Sequence, residues 1–90
     1  MKMQFECHIT CNLEDHAEAQ KVADENEWKT SEIARDPTLG KATYFYLTLH
    51  DDSFIDLYRY MENMEERLLE VGVVPVRKKI ELTLFDTKAQ

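Results

Sequence analysis

The chain is predicted to form an α+β domain whose elements follow one another as strand, helix, strand, strand, helix, strand. Two observations carry this prediction. Residues 3–11, 43–50 and 76–85 alternate between apolar and polar side chains, which is typical of strands that bury one face. Residues 54–71 repeat apolar side chains three and four positions apart, which is typical of an amphipathic helix. We therefore expect one sheet packed against helices.

The first strand is expected to span residues 3–11, and Asn12 suits the cap position of the helix that follows. The inward row of this strand is apolar: Met3, Phe5, Cys7, Ile9 and Cys11. Its outward row is polar: Gln4, Glu6, His8 and Thr10. The first helix has a thin apolar stripe that consists of Ala19, Val22 and Ala23.

The middle of the chain is predicted to form two strands joined by a turn. Residues 28–34 form the shorter strand, and Pro37 and Gly40 favour a reversal over residues 35–41. The third strand, residues 43–50, has an apolar row of Phe45, Leu47 and Leu49. Its other row consists of Tyr44, Tyr46, Thr48 and His50.

The second helix is expected to begin after Asp51, Asp52 and Ser53 and to end at Gly72. Its apolar positions are Phe54, Leu57, Tyr58, Met61, Met64, Leu68 and Val71. The last strand, residues 76–85, is expected to direct Ile80, Leu82 and Leu84 inward and Lys79, Glu81 and Thr83 outward.

Right-handed crossovers fold this order of elements into a four-stranded antiparallel sheet with both helices on one face. This is the ferredoxin-like βαββαβ arrangement, with strand order 4-1-3-2. Residues 1–90 are expected to form a single domain, because ninety residues leave no room for two cores. The predicted core consists of Phe5, Cys7, Ile9, Phe45, Leu47, Leu49, Leu57, Met61, Leu68, Ile80, Leu82 and Leu84.

The net charge of −7 is unevenly distributed. Residues 14–27 hold six acids and one base, and residues 51–70 hold seven acids and two bases, so the rest of the chain is mildly positive. This acidity disfavours generic nucleic-acid binding, which requires basic residues, but a small anionic ligand could bind on the strand side. The chain has no apolar run long enough for a membrane span and no signal peptide, so we expect it in the cytoplasm.

Cys7 and Cys11 lie four residues apart on the same strand face, about 13 Å from each other. That separation is too large for a disulfide, and two buried thiols fit a reducing compartment. We interpret them as small core residues rather than half of a metal site. His8, His50 and their neighbouring carboxylates match no zinc-binding spacing, so neither a metal nor another cofactor is predicted.

The sheet face without helices is the candidate site. His8 and Glu81 lie on strands expected to be neighbours, so Glu81 could hydrogen-bond His8, and the pair could act as general acid and base. The candidate ligand contacts are Thr10, Thr83, Lys79, Tyr44, Tyr46 and His50. Trp28, Thr30 and Glu32 are expected to complete the edge of this face. The alternative is that these side chains only form cross-strand pairs that stabilise an exposed sheet.

The segment His8-Ile9-Thr10, flanked by apolar residues, resembles the HxT strand motif of the two-histidine phosphoesterase superfamily. Those two-lobed enzymes cleave 2′-5′ or cyclic phosphodiesters with two such motifs. The resemblance implies that His8 is an acid–base residue and Thr10 a phosphate contact. The chain differs by having Glu81-Leu82-Thr83 where a second HxT would be sought.

The two ends of the chain also resemble a group of small, uncharacterised bacterial and phage proteins. The shared features are an F-x-C-H-x-T start and a K-I-E-x-T end, here Phe5 to Thr10 and Lys79 to Thr83. Three hypotheses result. The chain is a domain that binds a ligand or protein partner on its open sheet, or a phosphoesterase-like hydrolase that uses His8 and Glu81. The third hypothesis is a non-catalytic module, either a homodimer formed through the open sheet or a phage or host regulator.

Overall fold

A computed structural model describes residues 2–36 and 41–85, and it contains the predicted elements in the predicted order. The strands are β1 (Lys2–Asn12), β2 (Lys29–Asp36), β3 (Lys41–Asp51) and β4 (Arg77–Phe85). The helices are α1 (His16–Glu25) and α2 (Phe54–Glu70). The strands form one antiparallel sheet in the order β2-β3-β1-β4, so the predicted ferredoxin-like α+β fold is confirmed.

The predicted boundaries differ from the observed ones most at the start of α1. Asn12 is the last residue of β1, and its side chain makes no capping hydrogen bond. A short 3-10 turn, Leu13–Asp15, lies between β1 and α1. In the predicted reversal, Arg35 and Asp36 belong to β2, Lys41 belongs to β3, and residues 37–40 lie outside the described part of the chain.

The two ends of α2 agree with the prediction. The backbone N–H of Asp56 donates to Oγ of Ser53 at 3.3 Å, which satisfies one free donor at the start of the helix. Asp51 holds Ser53 in turn, because its Oδ1 accepts a hydrogen bond from the backbone N–H of Ser53 at 2.8 Å. At the other end Gly72 adopts a left-handed φ of 82° and reverses the chain.

The core lies between the helices and one face of the sheet. Its buried members are Cys7, Ile9, Cys11, Ala19, Val22, Ala23, Trp28, Phe45, Leu47, Leu57, Met61, Met64, Leu68 and Val73. Three further predicted core residues are partly buried: Phe5, Leu49 and Ile80. Leu82 is a wrong prediction, because it is 52% exposed on the edge strand β4, beyond the area that the helices cover. The side chain of Leu84 lies outside the described part.

The prediction for β2 was wrong about which face its residues use. Trp28 is buried in the core, and the hydroxyl of Thr30 donates to Oε1 of Gln20 on α1 at 2.6 Å. The register explains this, because Thr30 pairs with the core residue Leu47 and therefore shares its face. The outward residues of this segment are Lys29 and Ser31; the side chain of Glu32 is not among those described.

Candidate functional site

The sheet face opposite the helices is here called the open face. Its described residues share two properties: they point away from the core, and none of them is fully buried. They are Lys29, Ser31, Gln4, Glu6, His8, Thr10, Asn12, Tyr44, Tyr46, Thr48, His50, Arg77, Lys79, Glu81 and Thr83. Strand pairing fixes which of these side chains are neighbours.

His8 lies at the centre of the open face, and its side chain is only 15% exposed. Its Nε2 lies 3.0 Å from Oε1 of Glu6, and its Nδ1 lies 3.1 Å from Oγ1 of Thr48. The ring also contacts that of Tyr46, with centroids 5.6 Å apart and planes tilted by 55°. Both ring nitrogens of His8 therefore have partners within the protein.

These contacts are compatible with two protonation states of His8. In the neutral ring, Nε2–H donates to Glu6 while Nδ1 accepts from the hydroxyl of Thr48. In the charged ring both nitrogens donate, and the hydroxyl of Thr48 rotates to accept. A ligand could exchange a proton with the imidazole only after displacing Glu6 or Thr48. The geometry thus disfavours His8 as a free acid–base catalyst.

Glu6 connects the two histidines of the open face. Its second oxygen, Oε2, lies 3.4 Å from Nε2 of His50. On the other side Glu6 pairs across the strands with Glu81, an arrangement that places like charges opposite each other. Lys79 offsets this repulsion, because its Nζ lies 2.5 Å from Oε1 of Glu81. That hydrogen bond holds the pKa of Glu81 below its usual range.

The predicted catalytic pair, His8 and Glu81, is arranged differently from the expectation. Lys79 is the residue opposite His8, so Glu81 lies diagonally and forms its ion pair with Lys79. The carboxylate that contacts His8 is Glu6, two residues earlier on the same strand. Sequence reasoning placed Glu6 on the outward row but gave it no role. The spacing of two residues between Glu6 and His8 on a strand could have indicated the contact.

The predicted ligand contacts do not form one compact group. Tyr44 pairs with Asn12 and Thr83 pairs with Gln4, eight positions apart along β1. This corresponds to about 26 Å along the strand, so one small ligand cannot contact both ends. The other four predicted contacts are closer to His8. Each is either within two residues of His8 on β1 or paired across the sheet with such a residue: Thr10, Tyr46, Lys79 and His50.

Among the described side chains of the open face, bases outnumber acids by three to two, whereas the chain has a net charge of −7. Its described bases are Lys29, Arg77 and Lys79, and its described acids are Glu6 and Glu81. Arg77 lies opposite Thr10 and, among the side chains that the structure describes (residues 3–31 and 43–83), forms no ion pair with a carboxylate. The guanidinium of Arg77 therefore adds positive potential to this part of the sheet.

The two cysteine thiols are inaccessible. Cys7 and Cys11 are free thiols buried under the helices. Burial raises the pKa of Cys7 to about 12 and that of Cys11 to about 11, so both thiols remain protonated near neutral pH. In the described part of the chain, no three histidine, cysteine or acidic side chains are grouped so that they could hold a metal ion.

The fold is similar to that of a known crystal structure, a candidate antibiotic biosynthesis monooxygenase from Deinococcus radiodurans. The match covers 94% of this chain and 93% of that chain, with a TM-score of 0.53 and 13% sequence identity. Identity at this level supports a shared fold and not a shared activity. No protein-family model and no curated protein matches the chain. None of the helices in the described residues is long and apolar enough to cross a membrane.

Proposed function

We propose that the open face binds a small anionic ligand around His8. The proposed anion site consists of His8, Thr10, Tyr46, Arg77 and Lys79. One observation carries the proposal: Arg77, opposite Thr10, forms no ion pair with a described carboxylate, in a face that no described element covers. Lys79 lies opposite His8 and Arg77 lies opposite Thr10, and an arginine and a lysine are well suited to hold an anion.

The ordered side chains around His8 lower the entropic cost of binding. A side chain that is already ordered before the ligand arrives loses little further conformational freedom on binding. Glu6 and Thr48 order the ring of His8, and Tyr46 packs beside it. The hydroxyl of Thr10 and the guanidinium of Arg77 supply hydrogen-bond donors on the adjacent row.

The charge distribution directs anions to this face. The helical segments carry most of the acidic residues, so they repel an anion from the opposite side of the molecule. Because Arg77 and Lys79 are at least partly exposed, their attraction for an anion should weaken as salt is added. Affinity that falls with ionic strength is therefore expected.

The test is an NMR titration of the ¹⁵N-labelled protein with inorganic pyrophosphate, and in parallel with succinate, at constant ionic strength. We expect saturable shifts centred on residues 8–10, 46–48 and 77–79. Arg77→Gln and Lys79→Gln should each weaken binding by about tenfold. Lys21→Gln is the matched control, since Lys21 is an exposed base on α1 and its loss changes the net charge equally.

Two results would overturn the proposal. One is the absence of saturation with either anion. The other is a loss of affinity in Lys21→Gln as large as that in Arg77→Gln, which would indicate a general charge effect and no local site. Shifts confined to Tyr44 or Thr83 would instead move the site to one end of the sheet.

Two other hypotheses for the open face have their own measurements. For the hydrolase, wild type, His8→Ala and Glu81→Gln are incubated with 2′,3′-cyclic nucleotides and short 2′-5′ oligonucleotides. We expect no turnover by any of the three, because both nitrogens of His8 are occupied. Wild-type turnover that both variants lose would favour the hydrolase. For the homodimer, sedimentation equilibrium of the wild type gives the mass directly.

A further inference from the structure

The C-terminus of α1 contains a residue that its backbone conformation disfavours. The N–H of Trp28 donates to the carbonyl oxygen of Ala23 at 2.9 Å, and the N–H of Glu27 donates to that of Asp24 at 3.4 Å. This pair of bonds is a Schellman motif, which needs a left-handed residue just after the helix. Here that residue is Glu27, with a φ of 63°. Glycine adopts this conformation freely, whereas a residue with a Cβ is strained.

The C-terminus of α2 has the same hydrogen-bond pattern with the expected residue. The N–H of Val73 donates to the carbonyl oxygen of Leu68 at 2.9 Å, and the N–H of Gly72 donates to that of Leu69 at 3.0 Å. Within residues 2–36 and 41–85, Glu27 is the sole non-glycine residue with a positive φ. Strain of this kind, kept at one position, points to a function for the side chain.

Glu27 lines a cavity of about 370 Å³ between the end of α1 and the middle of α2. A volume of this size is within the range of small-molecule pockets. The lining residues are Asn26, Glu27, Trp28, Leu49, Tyr60, Asn63 and Met64. Leu49 belongs to the covered side of the sheet, so the cavity and the open face are on opposite sides of it.

The lining of the cavity combines one negative charge with two aromatic rings. Glu27 is the sole charged residue among the described lining residues, and Trp28 and Tyr60 supply the rings. The amide nitrogen of Asn26 donates to the carbonyl oxygen of Val22 at 2.8 Å, which leaves the amide oxygen of Asn26 as an acceptor. Carboxylate, amide oxygen and ring faces all attract a positive charge.

We propose that this cavity binds a small organic cation, an ammonium group attached to an apolar body. Glu27 supplies the opposite charge, and the rings of Trp28 and Tyr60 contact the cation. Met64 and Leu49 contact its apolar part. A glycine at position 27 would relieve the backbone strain, but it would also remove the carboxylate that holds the cation.

Trp28 is the only tryptophan in the chain, so its fluorescence reports directly on the cavity. The wild-type protein is titrated with choline and with tetramethylammonium at constant ionic strength. The control ligand is 3,3-dimethylbutan-1-ol, which has the shape of choline without its charge. We expect a saturable change in Trp28 fluorescence with the cations, and binding of the neutral alcohol at least about tenfold weaker.

Three variants assign the effect to Glu27. Glu27→Gln should weaken choline binding by about tenfold, whereas Glu25→Gln, with the same change in net charge, should alter it by less than about twofold. Glu27→Gly should abolish binding while raising the melting temperature, because it removes the charge and the strain together. A folding defect cannot explain a loss of binding in a more stable protein.

Three results would overturn the inference. They are no saturable fluorescence change with either cation, equal affinity for choline and its neutral analogue, or wild-type affinity in Glu27→Gln. None of these results depends on the anion site, since that site lies on the other side of the sheet. The cation and anion titrations can therefore fail or succeed independently.

Discussion

The C-termini of α1 and α2 have the same backbone geometry but different residues at the position that must be left-handed. Each helix ends in a Schellman motif, and each places a buried anchor one residue later, Trp28 with 6% exposure and Val73 with 1%. At α2 the left-handed residue is Gly72, and a Cβ added there would meet no atom within 4 Å. At α1 it is Glu27. The two ends therefore differ in backbone strain, because Gly72 is not required there by steric crowding around a Cβ.

The residues at the two helix ends differ in how well they suit this backbone conformation. Gly72 satisfies the local backbone preference, as expected of a residue whose role is to reverse the chain. Glu27 violates the same preference beside a cavity lined by Trp28 and Tyr60. A strained residue survives where its side chain has a use. Four substitutions test this interpretation, in order of decreasing expected effect.

Trp28→Ala should have the largest effect on stability. Removing a buried indole from the core is expected to cost about 3–5 kcal/mol in the free energy of unfolding. Urea denaturation, monitored by circular dichroism, measures this change in the free energy of unfolding. Val73→Ala, at the equivalent position after α2, should cost less because fewer buried atoms are lost. A cost below about 1 kcal/mol for Trp28→Ala would mean that the indole does not anchor the end of α1.

Gly72→Ala should destabilise the protein by about 1–2 kcal/mol. The whole cost comes from the left-handed backbone, since the new methyl group meets no neighbouring atom. For a domain of this size each kcal/mol lowers the melting temperature by about 4–8 °C, which differential scanning calorimetry resolves. An unchanged melting temperature would show that the end of α2 tolerates a Cβ, and the contrast with Glu27 would disappear.

Asn26→Ala should cost about 0.5–1.5 kcal/mol, the usual net value of one hydrogen bond. The substitution removes the 2.8 Å bond to the carbonyl oxygen of Val22 near the end of α1. Val71→Ala is the matched control, because Val71 is the equivalent cap residue of α2 and is exposed. It should change stability by less than about 0.5 kcal/mol. Equal effects in urea denaturation would show that the amide of Asn26 does not stabilise α1.

Glu27→Gly should have the smallest effect and the opposite sign, a gain of about 0.5–1 kcal/mol. The gain is limited because glycine also increases the freedom of the unfolded chain. Chemical denaturation of the single variant and of the double variant with Gly72→Ala measures it. The two effects should add, since the helix ends share no hydrogen bond. A loss of stability in Glu27→Gly would contradict the interpretation of strain.

The type and order of the elements follow from the sequence because they depend on local periodicity. The alternation in β1 and β3, the three-and-four spacing in α2, and the cap residue Ser53 each act within a few residues. The same periodicity placed Glu6, His8 and Thr48 on outward rows. It also predicted that Cys7 and Cys11 are thiols buried in the core, as observed. For these features the neighbours along the chain supply all the information needed.

Other features depend on residues that meet only in the folded chain. The partner of His8 is Glu6 and not Glu81, because strand register puts Lys79 opposite the histidine. Trp28 lies in the core and Leu82 is exposed, because pairing with β3 and the reach of the helices decide which positions are covered. Glu27 is left-handed beside a half-open cavity that lies between α1, α2 and the sheet. Local periodicity says which side chains share a face, but register and helix placement decide what that face meets, since both are set by contacts between distant segments.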